Sequence, residues 1–366
     1  MNKLGFGLLR FPLKDKNVPD EYDWELLEKL TDRYLELGGR YFDTCYTYLN
    51  GASEEAVRRL LAERYPRESF TVAEKLPGYR CQSYEDCRKL YEEEKRRCGL
   101  AYFDVFMLHW LNRENYAMAE KYDEFRFLRE IKAEGGAKLT GFSYHDSASL
   151  LDEILTAHPE VDVVQLQINY LDWESAGVQS RECYETCVRH GKKVIVMEPV
   201  KGGTLASLPA EAEALLRAVH PDWSMAAWAL RFVQSLPEVA ICLSGMNAME
   251  QIEDNMADFA PLGEKELAAL REVREIIERN TVVNCTGCRY CVEHCPQEIL
   301  IPDYFRMLNE ITRSPQDGWK IRPAYESLSI GHGRASDCLA CRSCEEHCPQ
   351  RIEISEFMKQ AAEKLG

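Results

Sequence analysis

The sequence predicts an α/β protein, a (β/α)8 TIM barrel followed by a small, mainly α-helical domain. Three observations carry that prediction. Eight short β-rich runs alternate with amphipathic helical stretches over residues 1 to about 260. Most of those runs are nearly continuous in apolar residues, as strands covered on both faces must be. At Asn284 the composition changes, and eight of the fifteen cysteines lie beyond it.

In chain order, the predicted strands are Phe6–Leu9, Arg40–Asp43, Thr71–Lys75, Phe103–His109, Lys138–Ser143, Asp162–Ile168, Lys193–Glu198 and Val239–Leu243. Between them the apolar period lengthens to that of a helix over Asp23–Leu37, Ser53–Tyr65, Tyr84–Cys98, Glu120–Glu134, Ala148–Ala157, Gln179–His190 and Ser224–Ser235. Eight strands each followed by a helix close naturally into a barrel. The rival, a doubly wound open sheet, is weakened because no Gly-x-Gly-x-x-Gly follows a strand. Glu264–Arg279 reads as a polar-faced helix leading out of the barrel, which places the domains at 1–280 and 281–366.

Composition narrows the function classes. A net charge of −16 repels phosphates and argues against nucleic acid or anionic lipid as a main partner. No run of about 18 apolar residues occurs, so no membrane span is expected. The N-terminus lacks the apolar stretch and cleavage site of a signal peptide, and a cytoplasmic location is the expectation. In such a reducing compartment an odd number of cysteines points to metal binding rather than to disulfides.

The tail holds an internal repeat. Cys285, Cys288, Cys291 and Cys295-Pro296 form one copy, and Cys338, Cys341, Cys344 and Cys348-Pro349 form the other. Each copy continues into Ile-x-Ile and a helical pattern, Asp303–Ile311 in the first and Ser355–Leu365 in the second. C-x2-C-x2-C-x3-C-P is the bacterial ferredoxin run, in which the fourth cysteine ligates the other cluster. Two [4Fe–4S] clusters are therefore expected, one on Cys285, Cys288, Cys291 and Cys348, the other on Cys338, Cys341, Cys344 and Cys295. Zinc usually takes two Cys-x2-Cys pairs rather than a trio plus a fourth, twice over. The long spacer, 296–337, resembles that of α-helical ferredoxins fused to anaerobic reductases. The other seven cysteines, among them Cys45, Cys81, Cys87 and Cys98, show no ligand spacing and read as small buried residues.

In a barrel, chemistry sits at the C-terminal ends of the strands. Asp43, Lys75 and His109 close three successive predicted strands, and Tyr48 follows Asp43 by five residues. A phenol has a pKa near 10, an adjacent ammonium would stabilise its phenolate, and a carboxylate would hold that ammonium. Lowering the phenol by about three units takes roughly 4 kcal/mol. With an imidazole to orient a carbonyl, such a set suits carbonyl reduction by hydride.

The segments Phe42-Asp43-Thr44-Cys45-Tyr46-Thr47-Tyr48, Glu74-Lys75-Leu76 and Leu108-His109-Trp110 resemble the tetrad segments of the aldo/keto reductase superfamily. Leu4–Pro12, Gly141–Ser143, Val164–Gln167 and Glu253–Asn255 extend the likeness over about residues 1–260. With its tail, the chain resembles aldo/keto reductases fused to a 4Fe–4S dicluster domain. The resemblance implies that Tyr48 is the general acid, that Lys75 tunes it, that Asp43 pairs with Lys75, and that His109 orients a carbonyl or alcohol substrate. It also implies an NADP or NAD site formed by Gly7, Ser143, Gln165, Met197, Lys201, Ser244, Gln251 and Asn255, with Lys201 meeting a pyrophosphate.

Three features depart from the family pattern. Tyr144 stands where Asn is usual, Met197 where an aromatic ring is usual, and no cation lies between Ser244 and Gln251. A 2′-phosphate wants Arg, so the choice between NADPH and NADH is open. Clusters pass single electrons and nicotinamide passes a hydride, and coupling the two normally needs a flavin or a radical-tolerant substrate. A flavin can occupy a barrel mouth without a linear signature. Three readings follow: nicotinamide-dependent oxidoreduction with associated clusters, reduction fed by ferredoxin or another redox partner through a gate such as flavin, and a non-enzymatic electron carrier or redox sensor. Trp110, Tyr46, Tyr144 and Trp173 are candidates for an aromatic mouth.

Overall fold

The computed structural model describes residues 3–15, 21–175, 178–257, 260–313 and 318–366. It divides into two compact units. The first gathers Met1–Ser175, Gln179–Pro199 and Ala227–Leu262, and the second is built mainly from Val200–Ala226 and Gly263–Gly366.

The first unit is a closed barrel of parallel strands in sequential order: β1 Leu4–Gly7, β2 Tyr41–Asp43, β3 Thr71–Leu76, β4 Phe103–Leu111, β5 Ala137–Tyr144, β6 Val163–Gln167, β7 Lys193–Met197 and β8 Val239–Ser244. All eight predicted strands are present. β1 lies two residues earlier than the apolar run implied, because Leu8 has already left the ladder and its N–H donates to the Asp43 carbonyl at 2.9 Å. The predicted helix Glu120–Glu134 has Glu124–Ala133 as its body, while its first two residues close a separate, unpredicted helix, Arg113–Lys121. Asp123 separates them with a left-handed backbone (φ 55°).

The alternation of side chains along strands decides which residues face the barrel interior. Tyr41, Ala73, Val105, Met107, Val163 and Ile195 belong to one interior apolar cluster. Two residues further along each strand, toward its C-terminal end, stand Asp43, Lys75, His109, Gln165 and Met197. The sixth member of that upper layer is Ser143, two after Gly141. There only glycine fits, since a Cβ would lie 2.0 Å from the Val163 carbonyl oxygen. The same rule sends Glu74, between Ala73 and Lys75, to the outer face of β3, where the helices cover it completely.

In the second unit, helix Ala210–Val219 packs on helix Glu264–Arg279, with His220 Nε2 2.9 Å from Glu266 Oε1. Its remaining core joins helices Ile301–Arg313, Gly318–Leu328 and Ile354–Leu365 around Tyr304, Phe305, Leu308, Tyr325 and Met358. The sequence repeat is also a backbone repeat. Gly287 and Ala340, Arg289 and Arg342, and Glu298 and Arg351 all take positive φ, at matching offsets from their cysteines. His294 and His347, at equivalent positions, stack with ring centroids 3.5 Å apart. Among the described residues, no helix is long and apolar enough to cross a membrane.

Candidate active site and cysteine cavities

The upper layer of the barrel brings the predicted tetrad together. Lys75 Nζ donates to Asp43 Oδ1 at 2.5 Å and to the Thr44 carbonyl at 2.7 Å, and its side chain is fully buried. The second Asp43 oxygen accepts from Gln165 Nε2 at 3.0 Å. Lys75 Nζ lies 4.7 Å from the centre of the Tyr48 ring, within cation–π range. The Tyr48 and His109 rings meet edge-on, 6.0 Å apart. His109 Nδ1 lies 3.3 Å from Cys45 Sγ, a contact that leaves Nε2 free of that bond.

The backbone just beyond these strand ends is held in an unusual conformation. Leu49 and Asn50 after Tyr48, Trp110 after His109, and Glu198 after Met197 all have φ between 51° and 62°. Each non-glycine residue in that region costs about 1–2 kcal/mol, and such strain concentrates at functional sites. The turn at Trp110 is secured by its N–H donating to Ser143 Oγ at 2.7 Å.

Burial sets the protonation states. It pushes the Tyr48 phenol well above its ordinary value, and nearby Asp43 and Cys45 push the same way. This reverses the direction expected from the sequence: the ammonium is engaged by Asp43 and Thr44, and desolvation of the phenol dominates. Desolvation, then Lys75 and His145, holds His109 well below the ordinary histidine range, so the imidazole is neutral. Burial raises the Asp43 carboxyl, and Lys75 opposes that rise.

Of the residues assigned to a nucleotide, Ser143, Gln165 and Met197 stand in the upper layer, with Ser143 and Gln165 buried. Asn255 Nδ2 donates to Ser244 Oγ at 3.2 Å, and Gly7 lies against the Ser244 carbonyl. Gln251 Oε1 accepts from the Asn247 N–H at 2.7 Å. Lys201 falls in the second unit, buried, with Nζ donating to Gln350 Oε1 at 3.0 Å.

Sequence reasoning missed three residues here. Cys45, which carries no ligand spacing in the sequence, stands against His109. Tyr79, from the loop after β3, packs 6.2 Å from the His109 ring and 5.9 Å from the Trp110 ring, whereas Tyr144 is buried with its hydroxyl on the Ser147 carbonyl. Arg10 lays its stem along Gly245, so that a cation accompanies the Ser244–Gln251 stretch from a distant part of the chain.

The cysteine tail forms two cavities. One is lined by Cys285, Cys288, Cys291 and Cys348. The other is lined by Cys295, Cys338, Cys341 and Cys344. Each takes three sulfurs from one repeat and the fourth from the other. Burial and the neighbouring cysteines raise the Cys291 thiol, and burial, Glu345 and the surrounding cysteines raise Cys344 to about 12. Four crowded thiols of this kind become thiolates together only around a strongly cationic centre, which is the donor set that iron–sulfur clusters use.

A barrel with this layer at its mouth defines a class, and comparison with known proteins gives the class its family. The aldo/keto reductase family model matches residues 3–275, and the chain belongs to that family. A 4Fe-4S dicluster domain model matches residues 284–353, making the chain an aldo/keto-reductase-type oxidoreductase fused to a C-terminal iron–sulfur domain. Similar curated proteins include a 9,11-endoperoxide prostaglandin H2 reductase of Trypanosoma cruzi, 25% identical over 175 residues. That match spans 48% of this chain and 56% of the relative. An NADH-specific methylglyoxal reductase of Escherichia coli is 23% identical over 286 residues, 66% of this chain and 85% of the relative. Among solved structures, the holo form of an aldo-keto reductase from Bacillus halodurans shares the fold with TM-score 0.60 and 21% identity, over 74% of this chain and 91% of that one. An aldo-keto reductase from Klebsiella pneumoniae in complex with NADPH does so with TM-score 0.58 and 18% identity, over the same shares.

Proposed function

We propose that the protein reduces a small-molecule carbonyl, or oxidises the matching alcohol, with NADPH or NADH, and that its tail holds two [4Fe–4S] clusters. The observation that carries this reading is the buried Lys75–Asp43 pair, 2.5 Å long, beneath the Tyr48 ring and beside His109. Nicotinamide supplies a hydride when bound, and each cluster supplies or accepts one electron. What remains is for this chain's residues to do. His109, neutral, offers Nε2 to the substrate oxygen and orients the carbonyl. Tyr48, kept protonated by burial, gives its phenolic proton to that oxygen as negative charge develops there. Lys75 then stabilises the phenolate, and Asp43, held by Gln165, keeps Lys75 in place. Ser143 and Gln165 would hold the nicotinamide amide, and Gly7, Ser244 and Asn255 the remainder of the nucleotide, while Arg10 beside Gly245 is the cation available to a 2′-phosphate.

In the tail, Cys285, Cys288, Cys291 and Cys348 would hold one cluster, and Cys338, Cys341, Cys344 and Cys295 the other. The two four-cysteine cavities support that cross-ligation. A reducing cytoplasm suits such a protein, and a ferredoxin-like partner would exchange electrons with it.

The test is titration of the anaerobic full chain with NADH and NADPH, followed by turnover of methylglyoxal, the substrate in the E. coli relative's name, and a panel of small aldehydes. Saturable binding of one nucleotide with its oxidation by a carbonyl is expected. Binding of neither would refute the nicotinamide reading and favour reduction fed through the clusters.

A further inference from the structure

Beside the layer just described, the loop after β3 and two helices gather three side chains that the proposed chemistry does not use. Cys81 follows the turn Gly78–Arg80, Cys87 lies in helix Tyr84–Cys98, and Glu124 opens helix Glu124–Ala133. Their relative exposures are 1%, 0% and 1%. The two sulfurs are 3.6 Å apart, and with a Glu124 oxygen all three atoms lie within 4.8 Å of one another.

Glu124 is the unusual member. Its Oε1 is buried and has no hydrogen-bond partner among the described residues. Space has been made for it: a Cβ on Gly78 would stand 2.2 Å from Glu124 Oε2, so any other residue there would expel the carboxylate. A carboxylate buried in this way without a partner is costly, and buried charges are normally paired or bound to metal. The sulfur pair points to which metal. Two thiolates on a tetrahedral zinc, each at about 2.3 Å, stand about 3.8 Å apart, close to the spacing observed.

We propose that Cys81, Cys87 and Glu124 form a binding site for a zinc-class divalent cation. Metal entry breaks two S–H bonds, together with the carboxyl O–H wherever Glu124 is protonated, forms two metal–sulfur bonds and one metal–carboxylate bond, and releases those two or three protons to solvent, with no change of oxidation state. Three protein ligands leave a fourth position for water. The site ties the loop bearing Tyr79 to both helices, and Tyr79 packs against His109 and Trp110. The metal is therefore a positioning device for the wall of the active site.

The experiment uses the full chain, purified anaerobically with its clusters reconstituted, exposed to zinc sulfate and then gel-filtered. Zinc and iron are counted by mass spectrometry, and the zinc environment is read by X-ray absorption at the zinc edge. One zinc per chain is expected, with two sulfur neighbours at about 2.3 Å and oxygen at about 2.0 Å. The double variant Cys81→Ser, Cys87→Ser should lose that zinc while keeping the wild-type iron content. Glu124→Gln should weaken zinc binding at least about tenfold. The proposal is overturned if no zinc is retained, if the double variant keeps it, if alkylation of anaerobic protein finds a Cys81–Cys87 disulfide, or if the shell contains four sulfurs. The last would place zinc on the tail cysteines, and because it is read on the wild-type chain it decides the matter even if the double variant fails to fold.

Discussion

Replacing Lys75 with methionine tests the Lys75–Asp43 pair in isolation. Methionine keeps most of the side-chain volume and removes the charge. Both partners are buried, with side-chain exposures of 0% and 4%, so solvent does little to screen what is lost. Among the described residues, the Asp43 carboxylate would keep only the Gln165 amide, 3.0 Å from its second oxygen. Breaking a buried ion pair on one side costs about 3–5 kcal/mol, because the remaining charge has neither water nor a counter-ion. For a unit of this size each kcal/mol moves the melting temperature by about 2–4 °C, so Lys75→Met should lower the barrel's transition by roughly 6–20 °C. The sign with pH follows from Asp43. Burial already raises its carboxyl against the pull of Lys75, and the variant removes that pull. A group whose folded pKa lies above its unfolded value loses stability as pH rises between the two. The penalty should therefore grow as pH rises above the ordinary carboxylate range. Adding Asp43→Asn removes the stranded charge, and the double variant should be more stable than Lys75→Met alone and lack its pH slope. Circular dichroism melts of the anaerobic full chain at several pH values supply the measurement. A shift under 2 °C for the single variant, or a double variant no more stable, would refute the argument.

Other consequences follow from the same geometry. With His109 held neutral and Tyr48 held protonated, kcat/KM for carbonyl reduction should stay flat between pH 6 and 9. An inflection near 6.5 that disappears in His109→Gln would contradict this. Cys348→Ser should disrupt the cluster of the first repeat while sparing that of the second, leaving about half the iron and sulfide of the eight of each expected for two cubanes. Loss of both in proportion would argue against the cross-ligation. Arg10→Ala should raise the KM for NADPH well above that for NADH, since its stem lies beside Gly245. Equal effects on the two would remove Arg10 from the 2′-phosphate.

Much of the fold was legible because it depends on local pattern. The eight strands showed as apolar runs, and helices Tyr84–Cys98, Ala148–Ala157 and Glu264–Arg279 have the bounds their periodicity predicted. Several helices have no clear sequence signal, among them Arg113–Lys121 and Met249–Asn255. Ala210–Val219 lies between strand signals, and Gly318–Leu328 contains Pro323, which argues against a helix in sequence but sits in this one. The break at Asp123 was hidden by apolar residues on either side.

The site divides in the same way. Asp43, Lys75 and His109 were readable because strand ends and alternation place them without further knowledge. The spacing of the tail cysteines likewise implied the two cavities. The direction of the Tyr48 shift was not readable, because it depends on how completely the phenol is buried and how fully Asp43 and Thr44 engage Lys75. Cys45 beside His109, Tyr79 above it, Arg10 along Gly245, and the Cys81–Cys87–Glu124 group are all contacts between segments distant in sequence or across a turn. No spacing rule encodes them.

The proposed reaction delivers a hydride and a proton in one pocket. The direct measurement supplies nicotinamide deuterated at C4 to the anaerobic full chain with a small aldehyde, and follows the label into the product alcohol for wild type and Tyr48→Phe. Deuterium on the carbinol carbon, formed about 10²–10⁴-fold more slowly by the variant with cluster content unchanged, is the predicted result. Unlabelled alcohol, or equal rates from the two proteins, would contradict it.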